Sequence, residues 1–146
     1  MLFRDAELGA ADTVQIGGKK VIKMKEGFLF CVCQGTCPSF AKENAYEITN
    51  MVRKKYEVEF AAIHPQLCAD DGDRFLKNLL KGTDLDVLYV AGCDPAMQTK
   101  MFKDSFAAAG FDISKLVGAD VRNKTTEEVT VQISELIEKT RKERLK

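Results

Sequence analysis

Along this chain the apolar positions switch between two repeats, every second residue and every third to fourth, and the switches divide it into alternating strands and helices. Val14, Ile16, Val21 and Ile22 alternate with polar residues around Gly17-Gly18, a pair suited to the positive φ of a tight turn, which predicts a small hairpin between Thr13 and Met24. The unbroken apolar run from Gly27 to Cys33 reads as a strand buried on both faces. After Pro38 and Ser39 a helical pattern extends to about Lys55, with Ile48, Met51 and Val52 on one side. Glu57 to Ile63 predicts a second core strand, and Asp73 to Lys81 a short helix with Phe75, Leu76, Leu79 and Leu80 inward, closed by Gly82. Leu85 to Ala91 is the third strand of this kind. Asp94 then caps, and Pro95 opens, a helix that ends at Gly110. Leu116 to Val121 predicts a short fourth strand. Thr125 and Glu128 have the spacing of a capping box ahead of a last helix that turns Val129, Ile133, Leu136 and Ile137 inward and leaves the tail from Arg141 to Lys146 solvated.

Strands that alternate with helices require right-handed crossovers and a parallel sheet. The expected fold is a three-layer α/β domain: a mostly parallel sheet of three to four strands, crossover helices and a small amino-terminal hairpin. One domain is expected over 1–146, with an extension carrying the hairpin over 1–26, a cysteine-bearing core over 27–123 and the final helix over 124–146.

Composition removes several classes of function. The 146 residues are 45% hydrophobic and 30% charged, which is globular composition. Lysine plus arginine and aspartate plus glutamate both total 22, so no basic field exists to attract a nucleic acid or an anionic membrane. The first ten residues lack the pattern of a secretory signal and no apolar run is long enough to cross a bilayer, which makes the cytoplasm the expected compartment. Five cysteines in a reducing compartment are expected as thiols or metal ligands rather than disulfides, and the odd count agrees.

Those cysteines fall at strand ends. Cys31 and Cys33 close the first core strand, Cys37 follows in the next loop, Cys68 lies in the loop after the second strand and Cys93 directly after the third. In a parallel sheet these positions share the carboxyl edge, where open α/β folds bind ligands. Thiolates suit iron–sulfur clusters, zinc and copper(I), and helices that open at this edge favour their negative charge. Gly35, Gly72 and Gly92 are expected to give the backbone room to approach inorganic sulfide. Cys31 has core packing and metal ligation as competing roles, because a free cysteine also behaves as a small hydrophobe. Strand alternation puts Cys31 and Cys33 on one face, so they act together only if the strand ends or bulges near Cys31. His64 is expected to satisfy a local hydrogen bond, and Asp70, Asp71 and Asp73 to cap a helix.

The segments Phe30 to Cys33, Cys68 to Asp73 and, above all, Leu88 to Pro95, followed by Phe102, Ala109-Gly110 and Ala119 to Asn123, resemble the amino-terminal iron–sulfur domain of the A-type component of heterodisulfide reductase, an oxidoreductase of anaerobes. The resemblance spans roughly Gly27 to Asn123. It implies a [4Fe-4S] cluster held by Cys31, Cys33, Cys68 and Cys93, with Cys37 additional. It also implies electron transfer with a partner that is a flavoprotein or hydrogenase-type redox subunit. A weaker similarity to the delta subunit of methyl-viologen-reducing hydrogenase rests on the Gly92-Cys93-Asp94-Pro95 turn. No Gly-x-Gly-x-x-Gly and no Cys-x-x-Cys-x-x-Cys run is present, so the flavin domain and ferredoxin-like inserts of the full family protein are not expected within this chain. Cys33, Cys37, Cys68 and Cys93 form a competing ligand set drawn only from loops. Two other functions remain open: a structural zinc domain, and a metal-independent thiol oxidoreductase working through Cys33 and Cys37.

Overall fold

A computed structural model of the chain describes residues 13–16 and 18–144. Gly17, the first twelve residues of the expected extension and the last two of the tail lie outside the described residues. Strands β1 (Thr13–Ile16) and β2 (Lys19–Ile22) form a separate antiparallel pair with Thr13 opposite Ile22, which is the hairpin expected from the alternation. The core begins with β3 (Glu26–Cys31) and continues through α1 (Ala45–Tyr56), β4 (Phe60–His64), α2 (Asp70–Leu80), β5 (Val87–Gly92), α3 (Pro95–Ala109), β6 (Leu116–Asp120) and α4 (Thr126–Arg144).

The four core strands are all parallel, in the order β4-β3-β5-β6. The chain leaves β3 toward one side, returns past it to β5 and continues to β6. Right-handed crossovers therefore put α1 and α4 on one face and α2 and α3 on the other. The cores reflect this: Phe28, Phe30, Tyr89 and Ala91 pack with Ile48, Val52, Ile133 and Ile137, whereas Leu29, Cys31, Leu88 and Val90 pack with Leu76, Leu80, Phe102 and Phe106. Every residue of β3 and β5 is buried, as the unbroken apolar runs predict. Full burial of one such large apolar side chain contributes about 1.5–3 kcal/mol. Among the described residues no helix is long and apolar enough to cross a membrane.

Local chemistry sets the boundaries, and in several places it shifts them from the pattern. Strand β3 stops at Cys31 instead of Cys33 because Cys33 (φ 49°) and Gln34 (φ 69°) are left-handed. The first helix starts at Ala45 because Asn44, in extended backbone, accepts the Glu47 N–H at 3.1 Å, while Pro38–Phe40 form a separate 3-10 turn. Glu57 (φ 52°) ends that helix in the left-handed region, so β4 begins only at Phe60. Helix α2 starts three residues earlier than expected, with Asp70, Asp71 and Asp73 in its first turn, where the helix dipole favours them. The caps at Asp94 (2.9 Å to the Ala96 N–H) and the Thr125/Glu128 box (2.9 and 3.2 Å) form as the sequence predicts.

Candidate functional site

The carboxyl ends of β3 and β5 flank the point where the chain reverses its direction of travel across the sheet, the crevice in which doubly wound sheets bind ligands. Cys31 is the last residue of β3 and is 6% exposed. Its Sγ accepts the Leu67 N–H at 3.3 Å. Beyond it the left-handed sequence Cys33, Gln34 and Gly35 (φ 77°) swings the chain out of the strand, which meets the condition under which Cys31 and Cys33 can act together. Two non-glycine residues held at positive φ cost about 1–3 kcal/mol each and persist only where neighbours fix them. Here the Gln34 N–H donates to Pro65 O at 2.5 Å and its side-chain amide donates to Gln66 Oε1 at 3.1 Å, tying the β3 loop to the β4 loop. Gln66 Nε2 in turn lies 3.6 Å from Cys68 Sγ.

The five cysteines are electrostatic neighbours. Burial pushes the Cys33 thiol up, and the charges of Cys37, Cys31 and Cys68 add to that push. Cys93 is also raised, by burial and then by Cys31, with Arg122 opposing. Cys37 is lowered by the Ser39 backbone N–H and hydroxyl, and further by Cys33 and Arg122. All five are free thiols. Arg122, just past β6, forks onto Asp120 with Nε–Oδ1 2.9 Å and Nη2–Oδ2 2.6 Å, which fixes a cation beside Cys37 and Cys93. The fourth strand therefore also contributes to this edge. Among the described residues no three His, Cys, Asp or Glu side chains are drawn together tightly enough to hold a metal ion as they stand.

The chain is similar to an iron–sulfur protein. It is 30% identical over 70 residues to an A-type iron–sulfur subunit of the CoB–CoM heterodisulfide reductase of Methanopyrus kandleri, a stretch that covers 48% of this chain. The matched stretch spans about a tenth of that protein's length. No family model matches the chain. The relationship is a distant one.

The donor chemistry fits a thiolate-bound centre. The Cys31 and Cys68 sulfurs accept hydrogen bonds from the Leu67 N–H and the Gln66 amide, a guanidinium is fixed nearby, and α2 and α3 open just after Cys68 and Cys93. His64 behaves as the sequence suggests, its Nδ1 accepting the Gln66 N–H at 3.0 Å while Nε2 stands 3.9 Å from Asp71. Asp73 takes the Ser105 hydroxyl and Lys77 at 3.0 Å, and the Ser105 bond chiefly lowers its pKa, so this acid joins α2 to α3. Two of the three glycines differ from expectation, whereas Gly35 stands open, with nothing within 4 Å of a Cβ added there. A Cβ on Gly72 would collide with the Leu67 and Gln66 carbonyls, so this glycine lets α2 close onto the Cys68 loop. A Cβ on Gly92 would lie 2.7 Å from Gln98 Nε2. Packing against protein, rather than room for sulfide, accounts for both.

Gln98 and Glu43 are polar residues near this edge that the cysteine pattern does not reveal. Gln98 is 3% exposed, and its Oε1 has no hydrogen-bond partner among the described residues. A polar residue on the inward stripe Gln98, Phe102, Ser105 and Phe106 is the signal that marks it. Glu43 lines a cavity of about 420 Å³ with Val32, Gly35 and Phe40, and burial pushes its carboxyl up to about 7, with Lys124 opposing.

Proposed function

We propose that this chain is an iron–sulfur electron-transfer module of a heterodisulfide reductase-type complex, with a [4Fe-4S] cluster held at the carboxyl edge by Cys31, Cys33, Cys68 and Cys93. The observation that carries the reading is the placement of five cysteines at three strand ends along one edge of a parallel sheet. The similarity to a protein named for its iron–sulfur content supports the choice of iron and sulfide over zinc.

When bound, the cluster supplies a one-electron carrier, and the chain's residues supply its environment. Cys31, Cys33, Cys68 and Cys93 would hold it through their sulfurs. Leu67 N–H and the Gln66 amide spread charge off the Cys31 and Cys68 sulfurs. Arg122 offsets negative charge beside Cys93. The partner, a flavoprotein or hydrogenase-type subunit, docks over this edge and exchanges electrons with it. Anaerobic reconstitution with iron and sulfide tests the proposal: a brown protein with a broad charge-transfer band in the blue part of the visible spectrum supports it, and a colourless protein that takes zinc instead contradicts it.

One observation favours a second reading, thiol–disulfide exchange through Cys33 and Cys37: the Cys37 thiol is lowered and hydrogen-bonds with Cys33. Rapid alkylation of Cys37 below the usual thiol range, in metal-free protein that never takes up iron, would support that reading in place of the first.

A further inference from the structure

Strand β6 is an outer strand of the sheet, paired with β5 on one side and with no strand of the described residues on the other. Val121, just past it, donates its N–H toward β5, to Gly92 O at 2.9 Å. A strand turns the backbone groups of alternate residues to opposite sides. Val117 and Ala119 therefore also face β5, and Leu116, Gly118 and Asp120 turn their backbone groups outward. Of these outward groups, the Leu116 N–H donates to Ile113 O and the Asp120 carbonyl accepts from Gln132 Nε2 at 3.1 Å. The Leu116 carbonyl, both groups of Gly118 and the Asp120 N–H have no partner among the described residues.

This remainder is complementary to itself. Where two copies of β6 run antiparallel with Gly118 opposite Gly118, the two glycines exchange both of their N–H···O bonds. Each free Asp120 N–H then meets the free Leu116 carbonyl of the other copy. The groups that would complete those outer pairs, the Leu116 N–H and the Asp120 carbonyl, are the ones already bonded within the chain.

Helix α4 carries the same symmetry. A cavity of about 440 Å³ lies between β6 and one stripe of α4, formed by Glu128, Val131, Gln132, Glu135, Leu136 and Lys139. Val131 is 57% exposed on this stripe. Glu128 lies at one end and Lys139 at the other, so an antiparallel neighbour brings Glu128 to the Lys139 of the other copy and Val131 to its Leu136.

We propose that β6 and α4 form a two-fold interface with a second copy of this chain, which joins the two sheets edge to edge. This inference does not depend on the iron–sulfur reading. Because the paired strands run antiparallel, the two cysteine edges face opposite ways and both stay open.

Analytical ultracentrifugation of the full chain, in reductant so that no disulfide links the copies, is expected to give twice the mass of one chain at micromolar concentration. Val131→Lys, at an exposed position, puts a charge in the middle of the contact and is expected to give a monomer with wild-type circular dichroism. A zero-length carbodiimide link between Glu128 and Lys139, located by mass spectrometry, identifies the surface. Within one helix these two residues stand about 16 Å apart, too far for such a link, so it forms only between copies. Monomeric wild-type protein would overturn the proposal and leave this edge to a strand of another protein. A dimer that keeps its mass in Val131→Lys and yields no Glu128–Lys139 link would also overturn it.

Discussion

Strands β3 and β5 carry buried polar chemistry at both ends, and the two ends are built on different principles. At the amino end Glu26 is 1% exposed, yet its carboxylate takes the Tyr89 hydroxyl at 2.7 Å and Arg141 at 2.7 and 3.1 Å, while Arg141 also donates to Tyr56 O at 2.7 Å. Burial and the Glu26 bond together raise the Tyr89 pKa. Each charge there has its partner within the chain, and the result is a fixed junction of β3, β5, α1 and α4. At the carboxyl end the same strands lead to Cys31 and Cys93, where burial and then the charge of Cys31 raise the Cys93 thiol, and to a buried carboxamide oxygen without a partner. A network closed on itself stabilises a fold. At the carboxyl end the polar groups are not closed on one another in this way.

The contrast breaks most sharply with the cysteines. Cys68→Ser and Cys93→Ser are each expected to lose the iron–sulfur centre altogether, with iron and sulfide content falling to background, while circular dichroism stays that of the wild-type fold. Survival of an unaltered cluster spectrum in both would remove the convergent site. At the other end, Arg141→Ala should leave the site chemistry in place but strand Glu26 in the core, at a cost of about 3 kcal/mol in urea unfolding. A change below about 1 kcal/mol there would mean that Glu26 finds water and that the junction is not closed.

Glu43 sharpens the comparison by pH. Its carboxyl, ordinarily near 4.5, is pushed up to about 7 by burial, and neither oxygen has a hydrogen-bond partner among the described residues. The folded chain therefore holds this proton more tightly than the unfolded chain does. Its contribution to stability is fully present below pH 4.5 and lost as pH rises through about 7. Glu43→Gln is expected to stabilise the protein by about 1–2 kcal/mol at pH 8, after allowance for partial exposure, and to change nothing at pH 4. Denaturant melts at the two pH values check this, and equal gains at both would assign the effect to something other than ionisation.

A last pair of variants separates the two ligand sets. With Cys31 as a ligand, Cys37→Ser leaves the cluster spectrum as in wild type and Cys31→Ser destroys it. The loop-only set predicts the reverse. The Leu67 N–H on Cys31 Sγ favours the first outcome.

Much of this was legible in the residues. The apolar runs of β3 and β5 marked them as central, and the Asp94-Pro95 and Thr125/Glu128 signals located helix starts correctly, because both depend on local chemistry. The convergence of Cys31, Cys68 and Cys93 on one edge followed from the parallel topology alone. What the pattern missed depends on backbone conformation or on contacts distant in sequence. Nothing local announces that Cys33 and Gln34 adopt positive φ, since the bonds that hold Gln34 come from Pro65 and Gln66. Gly92 looked like room for sulfide, and only the fold reveals Gln98 packed against it.

Iron and inorganic sulfide analysis of anaerobically reconstituted wild-type protein, beside Cys93→Ser, tests the central claim most directly. The account predicts equal amounts of iron and sulfide in a brown wild-type protein and neither in a folded, colourless variant. Wild-type protein that holds zinc without sulfide, or a variant that retains the same iron and sulfide, would contradict it.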